Sequence, residues 1–214
     1  MKFGILGTGA VGQTIGSKLV ARGHEVRLGG RSTTHEKGEA WAKPSANASY
    51  GDFASAAGFG EIVFLCTKGE GALAAADAAK AGLAGKILVD VTNPLDFSKG
   101  FPPHLFVSNT DSLGEELQRA LPDTRVVKAL NTITCDVMVD PARLGAPSDV
   151  FVSGNDDTAK ATVSGLLREQ FGWQHVVDLG DITTARGTEA YLLLWIRLYG
   201  ALKTPDFNMR LVRG

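Results

Sequence analysis

A chain of 214 residues with 44% hydrophobic and 21% charged residues has the makeup of one folded domain, or one domain with a small extension, with a packed core and no disorder expected. A formal net charge of −1, with Lys and Arg scattered, leaves no basic footprint for a nucleic-acid backbone. Two cysteines outside any CxxC pair, Cys66 and Cys135, point to free thiols in a reducing compartment rather than to a disulfide or a metal site.

In chain order, "KFGIL" (residues 2–6) predicts a strand, residues 11–22 a helix ending near Gly23, and "HEVRLGG" a second strand. Gly4 and Gly7 break up any signal-peptide core. "EIVFLCT" (61–67) is a continuous apolar run, as expected of a parallel strand covered on both faces. The alanine-rich "GALAAADAAKAGLAG" predicts a helix and "KILVDVT" a strand. The Pro-containing stretch 93–106 is the longest irregular segment, following a strand's carboxyl end. A helix over 112–121, the strand "TRVVKAL", the strand "SDVFVSG", a helix over 157–171 and the strand "HVVDLG" follow.

The chain closes on a long apolar helix beginning near Gly187, whose stretch 191–202 is interrupted by Arg197 and too short to span a bilayer. The expected protein is soluble and cytoplasmic, with no membrane partner. Strand–helix alternation with short glycine-containing connections predicts an α/β fold of Rossmann type, a doubly wound parallel sheet over residues 1–182, with a carboxyl-terminal helical extension over 183–214.

Gly7, Gly9 and Gly12 form G-x-G-x-x-G between the first strand and the first helix, inside a βαβ unit. Gly7 permits the tight turn, Gly9 admits a pyrophosphate to the backbone, and Gly12 lets the helix pack closely on the sheet. The helix start at Ala10 and Val11 offers N–H groups to the bound anion. An NAD site usually carries Asp or Glu at the end of the second strand. Here that end reads Gly29, Gly30, Arg31, Ser32, which lacks the carboxylate and supplies a guanidinium for a 2′-phosphate. NADP(H) is therefore the expected cofactor, with Thr8 and Thr33 as further hydroxyl donors.

Of the four histidines, His24 and His175 lie at turn–strand junctions and His35 in the loop after Arg31. His104, in the proline-containing loop, is the only candidate acid–base group. No Ser/His/Asp order, metal-ligand cluster or Tyr-x-x-x-Lys pair is present. Carbonyl reduction needs a proton donor, whereas hydride exchange between two organic cofactors needs mainly the alignment of two ring faces.

"GILGTGAVGQTIGSKLVARGHEVRLGGRS", "DVTNPL" (90–95), "VVKALNTI" (126–133), "VSGND" (152–156) and "VDLGDITTARGTEAYLLLWIRL" (177–198) occur together and in order. Over nearly its whole length the chain resembles the NADP oxidoreductases dependent on coenzyme F420, a deazaflavin. That resemblance implies hydride transfer between nicotinamide and a deazaflavin in a cleft closed by the carboxyl-terminal helical part. It implies that Thr8, Arg31 and Ser32 bind the 2′-phosphate, that Thr67 and Lys68 pass near the cofactor backbone, that Asn93 and Pro94 border the nicotinamide, and that Asn131, Thr132 and Ile133 lie along the cleft. The family's deazaflavin binders carry other residues in place of "TNPL" and a His where this chain has Asn131. The chain is also similar to the NADPH-oxidising part of membrane metalloreductases, so an ordinary flavin, FAD or FMN, is the alternative acceptor. Reduction of a small carbonyl or imine, and a redox sensor that holds NADP without turnover, are the other readings.

In the last helix Tyr191, Leu194, Trp195, Leu198 and Leu202 form a stripe expected to be buried, and Leu192, Leu193, Ile196 and Tyr199 make other faces apolar. A homodimer interface is the expectation, as the resemblance also implies; burial within one chain is the alternative. Arg186 and Glu189 are spaced to pair on one helical turn.

Overall fold

The computed structural model describes residues 1–212 and 214. Its strands are β1 (Lys2–Leu6), β2 (Glu25–Gly30), β3 (Ala48–Asp52), β4 (Ile62–Leu65), β5 (Ile87–Asp90), β6 (Leu95–Asp96), β7 (His104–Leu105), β8 (Arg125–Ala129), β9 (Asp149–Gly154) and β10 (His175–Asp178). The helices are α1 (Ala10–Ala21), α2 (Glu36–Ala42), α3 (Phe53–Phe59), α4 (Ala72–Leu83), α5 (Leu113–Ala120), α6 (Cys135–Val139), α7 (Asp157–Leu166) and α8 (Ala185–Leu202).

Eight strands form one sheet in the order β10-β9-β8-β5-β4-β1-β2-β3. Every residue of β4 and of β5 is buried, as their unbroken apolar runs require when helices cover both faces. On one face Ile15 and Leu19 of α1, Met138 of α6 and Val163 of α7 join the strands in one core. On the other, Phe53 and Ala56 of α3, the alanines of α4 and Leu117 of α5 make a second. Small side chains let α3 and α4 approach: a Cβ added to Gly82 would stand 2.7 Å from the Gly58 nitrogen.

The sheet departs from the expected parallel arrangement at one seam. β8 and β9 are antiparallel, with Ala129 opposite Val152 and Val127 opposite Gly154. The connection through α6 stays at the carboxyl edge of the sheet instead of crossing back over a face, so β9 re-enters from the edge at which β8 left. A fully buried apolar strand carries no mark of its direction, which is why the sequence pattern did not show the reversal. The segment between β2 and β4, too mixed for a periodic signal, supplies α2, β3 and α3, and the irregular stretch 93–106 contains the short hairpin β6–β7.

The last helix also differs from expectation. Its inward face carries Ala185, Thr188, Glu189, Leu192 and Ile196, not the Tyr191–Leu194–Trp195–Leu198–Leu202 stripe. Leu194 and Leu202 are each 53% exposed, and Leu193 and Tyr199 are exposed beside them. The stripe was read from apolar character alone, and the protein turns inward the face that holds Glu189, because a buried partner awaits that carboxylate. Arg186 and Glu189 do not pair. Arg186 makes two hydrogen bonds to Glu115, at 2.8 and 2.6 Å, while Glu189 reaches Lys128 at 2.7 Å. Both thus join α8 to the sheet and α5.

Candidate active site

The chain runs outward from β1 through β2 to β3, then returns to place β4 on the other side of β1. This reversal opens a crevice at the carboxyl ends of β1 and β4, where open α/β sheets take their ligands. The glycine loop lies on it. Gly7 has φ +133°, and a Cβ there would meet the Cys66 carbonyl oxygen at 2.6 Å. Gly12 has room for no side chain either, since a Cβ would stand 2.3 Å from the Gly7 oxygen. Gly9 is different: a Cβ there would meet nothing within 4 Å. The fold does not need that glycine for packing, and the space over it remains open for a group approaching the backbone. Gly9 caps α1 with no side-chain acceptor, and no acid stands in the first turn, so the N–H groups at Ala10 and Val11 face no competing anion.

At the end of β2, Arg31, Ser32 and Thr33 are exposed. Tyr50 of β3 donates to the Ser32 carbonyl at 2.7 Å. The Ser32 hydroxyl donates to the Thr34 carbonyl, so it would have to re-aim to serve a phosphate. The Thr8 carbonyl accepts from the Gln13 side chain at 2.9 Å, which braces the loop.

Beyond the glycine loop a cleft of about 550 Å³ opens between the carboxyl ends of β4, β5 and β8 and the flank of α8, within the usual range for small-molecule sites. Val11, Thr67, Asn93, Asn131, Leu192 and Trp195 are among its lining residues. Asn93 and Asn131 clasp each other: Asn93 Nδ2 donates to the Asn131 carbonyl at 2.8 Å, and Asn131 Nδ2 donates to Asn93 Oδ1 at 2.9 Å. One N–H on each amide, and the Oδ1 of Asn131, remain for a ligand. Leu130, just before this clasp, holds φ +64°, a costly value for leucine that the buried surroundings impose. Pro94 and Thr132 are buried behind the wall rather than on it. Lys68 stands exposed at the rim.

Among the described residues, two buried polar atoms near the cleft have no partner, Thr67 Oγ1 and Trp195 Nε1. Buried polar groups in folded proteins nearly always pair, so orphans beside a cleft mark where a polar ligand fits. The residues present therefore fit a dinucleotide: a bare backbone over Gly9, unopposed N–H groups, and amide and hydroxyl groups further along.

Behind the cleft lies a cluster absent from the sequence reading. Lys128, 1% exposed, sits between Asp90 (2.8 Å) and Glu189 (2.7 Å) and donates to the Thr92 carbonyl at 2.7 Å. Burial alone would lower its pKa, but the two carboxylates outweigh it and hold it above the usual lysine value. Glu189 also accepts the N–H groups of Leu113 and Gly114 at the start of α5, and Asp90 accepts the N–H and the hydroxyl of Thr92. The signal was a lysine inside the apolar run "VVKAL", a charge that must find a buried partner.

His104 pairs with Asp96 at 3.0 Å in the β6–β7 hairpin, and Asp96, not His104, lines the cleft. Hydrogen bonds from Ser98, aided by the His104 and Lys99 charges, hold the Asp96 carboxyl below the usual carboxylate range, so it stays an anion at neutral pH. Cys66 is buried and Cys135 half-buried, both as free thiols; burial and the Asp90 charge push the Cys66 thiol up. No helix among the described residues is long and apolar enough to cross a membrane.

A strand, a Gly-x-Gly-x-x-Gly turn and a helix on a mostly parallel sheet, opening onto a cleft, define a dinucleotide-binding architecture. Residues 2–94 match the model of the family described as NADP oxidoreductase, coenzyme F420-dependent. A solved structure from Arthrobacter sp. FB24, provisionally described as an F420-dependent NADP-reductase, is 48% identical with TM-score 0.94 and full coverage of both chains. The F420-dependent NADP reductase of Methanothermobacter marburgensis is 27% identical over 92% of each chain. Metalloreductase STEAP3 of Rattus norvegicus is 32% identical over 95% of this chain, which spans only 38% of that protein's length. The chain belongs to the family of coenzyme F420-dependent NADP oxidoreductases, and it is an NADP-dependent oxidoreductase. An imine reductase from Streptomyces aurantiacus, at 18% identity and TM-score 0.68 over 63% of its own chain, shares the fold.

Proposed function

We propose that the protein exchanges a hydride between NADPH and a second flat redox ring, the deazaflavin coenzyme F420 or a flavin such as FAD or FMN. The observation that carries this reading is the distribution of titratable groups around the cleft. The titratable residues among its described lining are Lys68, Glu70, Asp96 and Cys135. Lys68 and Glu70 are exposed, Asp96 is held as a carboxylate by its hydrogen bonds from Ser98, and Cys135 is a half-buried thiol, while Val11, Thr67, Asn93, Asn131, Leu192 and Trp195 bring no acid. Such a site suits a reaction that needs two rings held face to face rather than an acid.

NADPH, when bound, supplies the hydride from its nicotinamide ring. Arg31, Ser32 and Thr8 hold the 2′-phosphate, and the backbone from Gly7 through Gly9, Ala10 and Val11 to Gly12 receives the pyrophosphate at the start of α1. Thr67 and Lys68 follow the cofactor across the crevice. Asn93, backed by Pro94, and Asn131, backed by Thr132, orient the nicotinamide carboxamide with their free amide positions. Helix α8 completes the cleft and excludes water through Leu192 and Trp195. The exposed Leu193, Leu194, Tyr199 and Leu202 of α8 seat a second copy of the chain, so light scattering should give about twice the 22.5 kDa of one chain.

The test is direct. The protein is mixed with NADPH and either coenzyme F420 or FMN, and loss of nicotinamide absorbance is followed. Turnover with one of them is the expected result, and none with either removes the proposal. Reduction of a small carbonyl or imine is the second reading, favoured by His104, which pairs at 3.0 Å with the cleft-lining Asp96.

A further inference from the structure

Tyr50 lies on β3, next to the end of β2, and is not part of the glycine-loop motif. Its ring occupies the space above two glycines. A Cβ at Gly30 would stand 2.4 Å from Tyr50 Oη, and one at Gly38 would stand 2.3 Å from Cδ2. The hydroxyl donates to the Ser32 carbonyl at 2.7 Å, fixing the turn that carries Arg31. A Gly30 Cβ would also stand 3.4 Å from Thr8 Cγ2. The phenol thus occupies the volume a side chain at position 30 would enter, while its hydroxyl holds the 31–34 turn. Burial, then the charge of Glu39, pushes the phenol's pKa up, so it remains a neutral donor.

We infer that Tyr50 is a positioning residue for cofactor choice: it sets the Arg31–Ser32 turn through the Ser32 carbonyl and bars residue 30 from carrying the carboxylate an NAD site would use. Discrimination then has two parts, an attractive guanidinium and a steric block, as selective sites commonly combine. The block is built by β3, a strand outside the Gly-x-Gly-x-x-Gly motif. The inference rests on the reading that Arg31 and Ser32 hold the 2′-phosphate.

The experiment is a binding titration of NADPH and NADH on the full chain, for wild type, R31A, Y50F, G30A and Y50F/G30A. Y50F removes one hydrogen bond and little volume, and should weaken NADPH by about 2- to 12-fold, the worth of one intramolecular hydrogen bond, with NADH unchanged. G30A should cost more with the phenol in place than in the Y50F background, because without Oη the next contact, Tyr50 Cζ, lies 3.3 Å from the added Cβ. Equal losses for both cofactors in Y50F, or additive effects of Y50F and G30A, overturn the role given to Tyr50 while R31A remains selective for NADPH. If R31A itself loses NADPH and NADH equally, the phosphate reading fails and the inference fails with it.

Discussion

The two ends of the ligand-binding face are built on opposite principles. At the β1–β2–β3 end the site is made of missing side chains: Gly7 and Gly12 because a Cβ would strike backbone, Gly9 because the space above it is left open, Gly30 because Tyr50 fills it. That end offers backbone N–H groups and an exposed arginine. At the β5–β8–α8 end the site rests on a buried charged cluster. Lys128 joins the Thr92 carbonyl at the cleft floor to Glu189 on the helix that carries Leu192 and Trp195. One end depends on backbone room and one exposed cation. The other depends on three ionised groups staying paired, since an unpaired buried charge costs more than the pair gains.

That contrast sets the order of the expected effects. Lys128→Met leaves Asp90 and Glu189 facing each other without a cation and should destabilise the fold by about 3–5 kcal/mol, read as a lower urea midpoint. A loss under 1 kcal/mol would mean that the two ends are not so different. Arg31→Ala should leave stability unchanged and weaken NADPH by about 1.5–3 kcal/mol, with NADH nearly unaffected. Equal losses would return Arg31 to the status of a solvated surface side chain.

Glu115→Gln comes next. Hydrogen bonds from Arg186 hold the Glu115 carboxyl below its ordinary value of 4.5, with further help from Ser112. A depressed carboxylate contributes stability that is fully present above 4.5 and is lost as pH falls through the lower folded value. Arg186 is half-exposed, so solvent screening limits the effect of the substitution to about 1 kcal/mol at neutral pH, vanishing in acid. A denaturation series that shows the same deficit at every pH would contradict this. The smallest effect belongs to His104→Ala, which should change turnover with coenzyme F420 or FMN by less than about 0.5 kcal/mol in barrier. A large loss would favour carbonyl or imine reduction instead.

Legibility in the sequence follows the same divide. The glycine loop, the missing acid and Arg31 fall within one continuous stretch, and the turn, helix start and strand end they specify are local structures. Motif resemblance points to Asn93 and Asn131, but nothing in either segment shows that each amide clasps the other. Trp195 was read as part of a buried stripe, whereas its indole stands at the cleft, stacked on Phe207 at 5.2 Å. Arg186 and Glu189 looked like a helical pair because spacing along one helix is visible and the position of α5 is not.

The sequence by itself determined the βαβ unit, the dinucleotide loop and the preference for a 2′-phosphate, because each depends on which residues can occupy a few consecutive backbone positions. Only the tertiary structure decided the direction of β9, the face that α8 turns inward, the Lys128 cluster and the seat of Tyr50 over Gly30 and Gly38. Those depend on contacts between residues far apart in the chain, where burial, charge pairing and shared volume are settled only once the elements have packed.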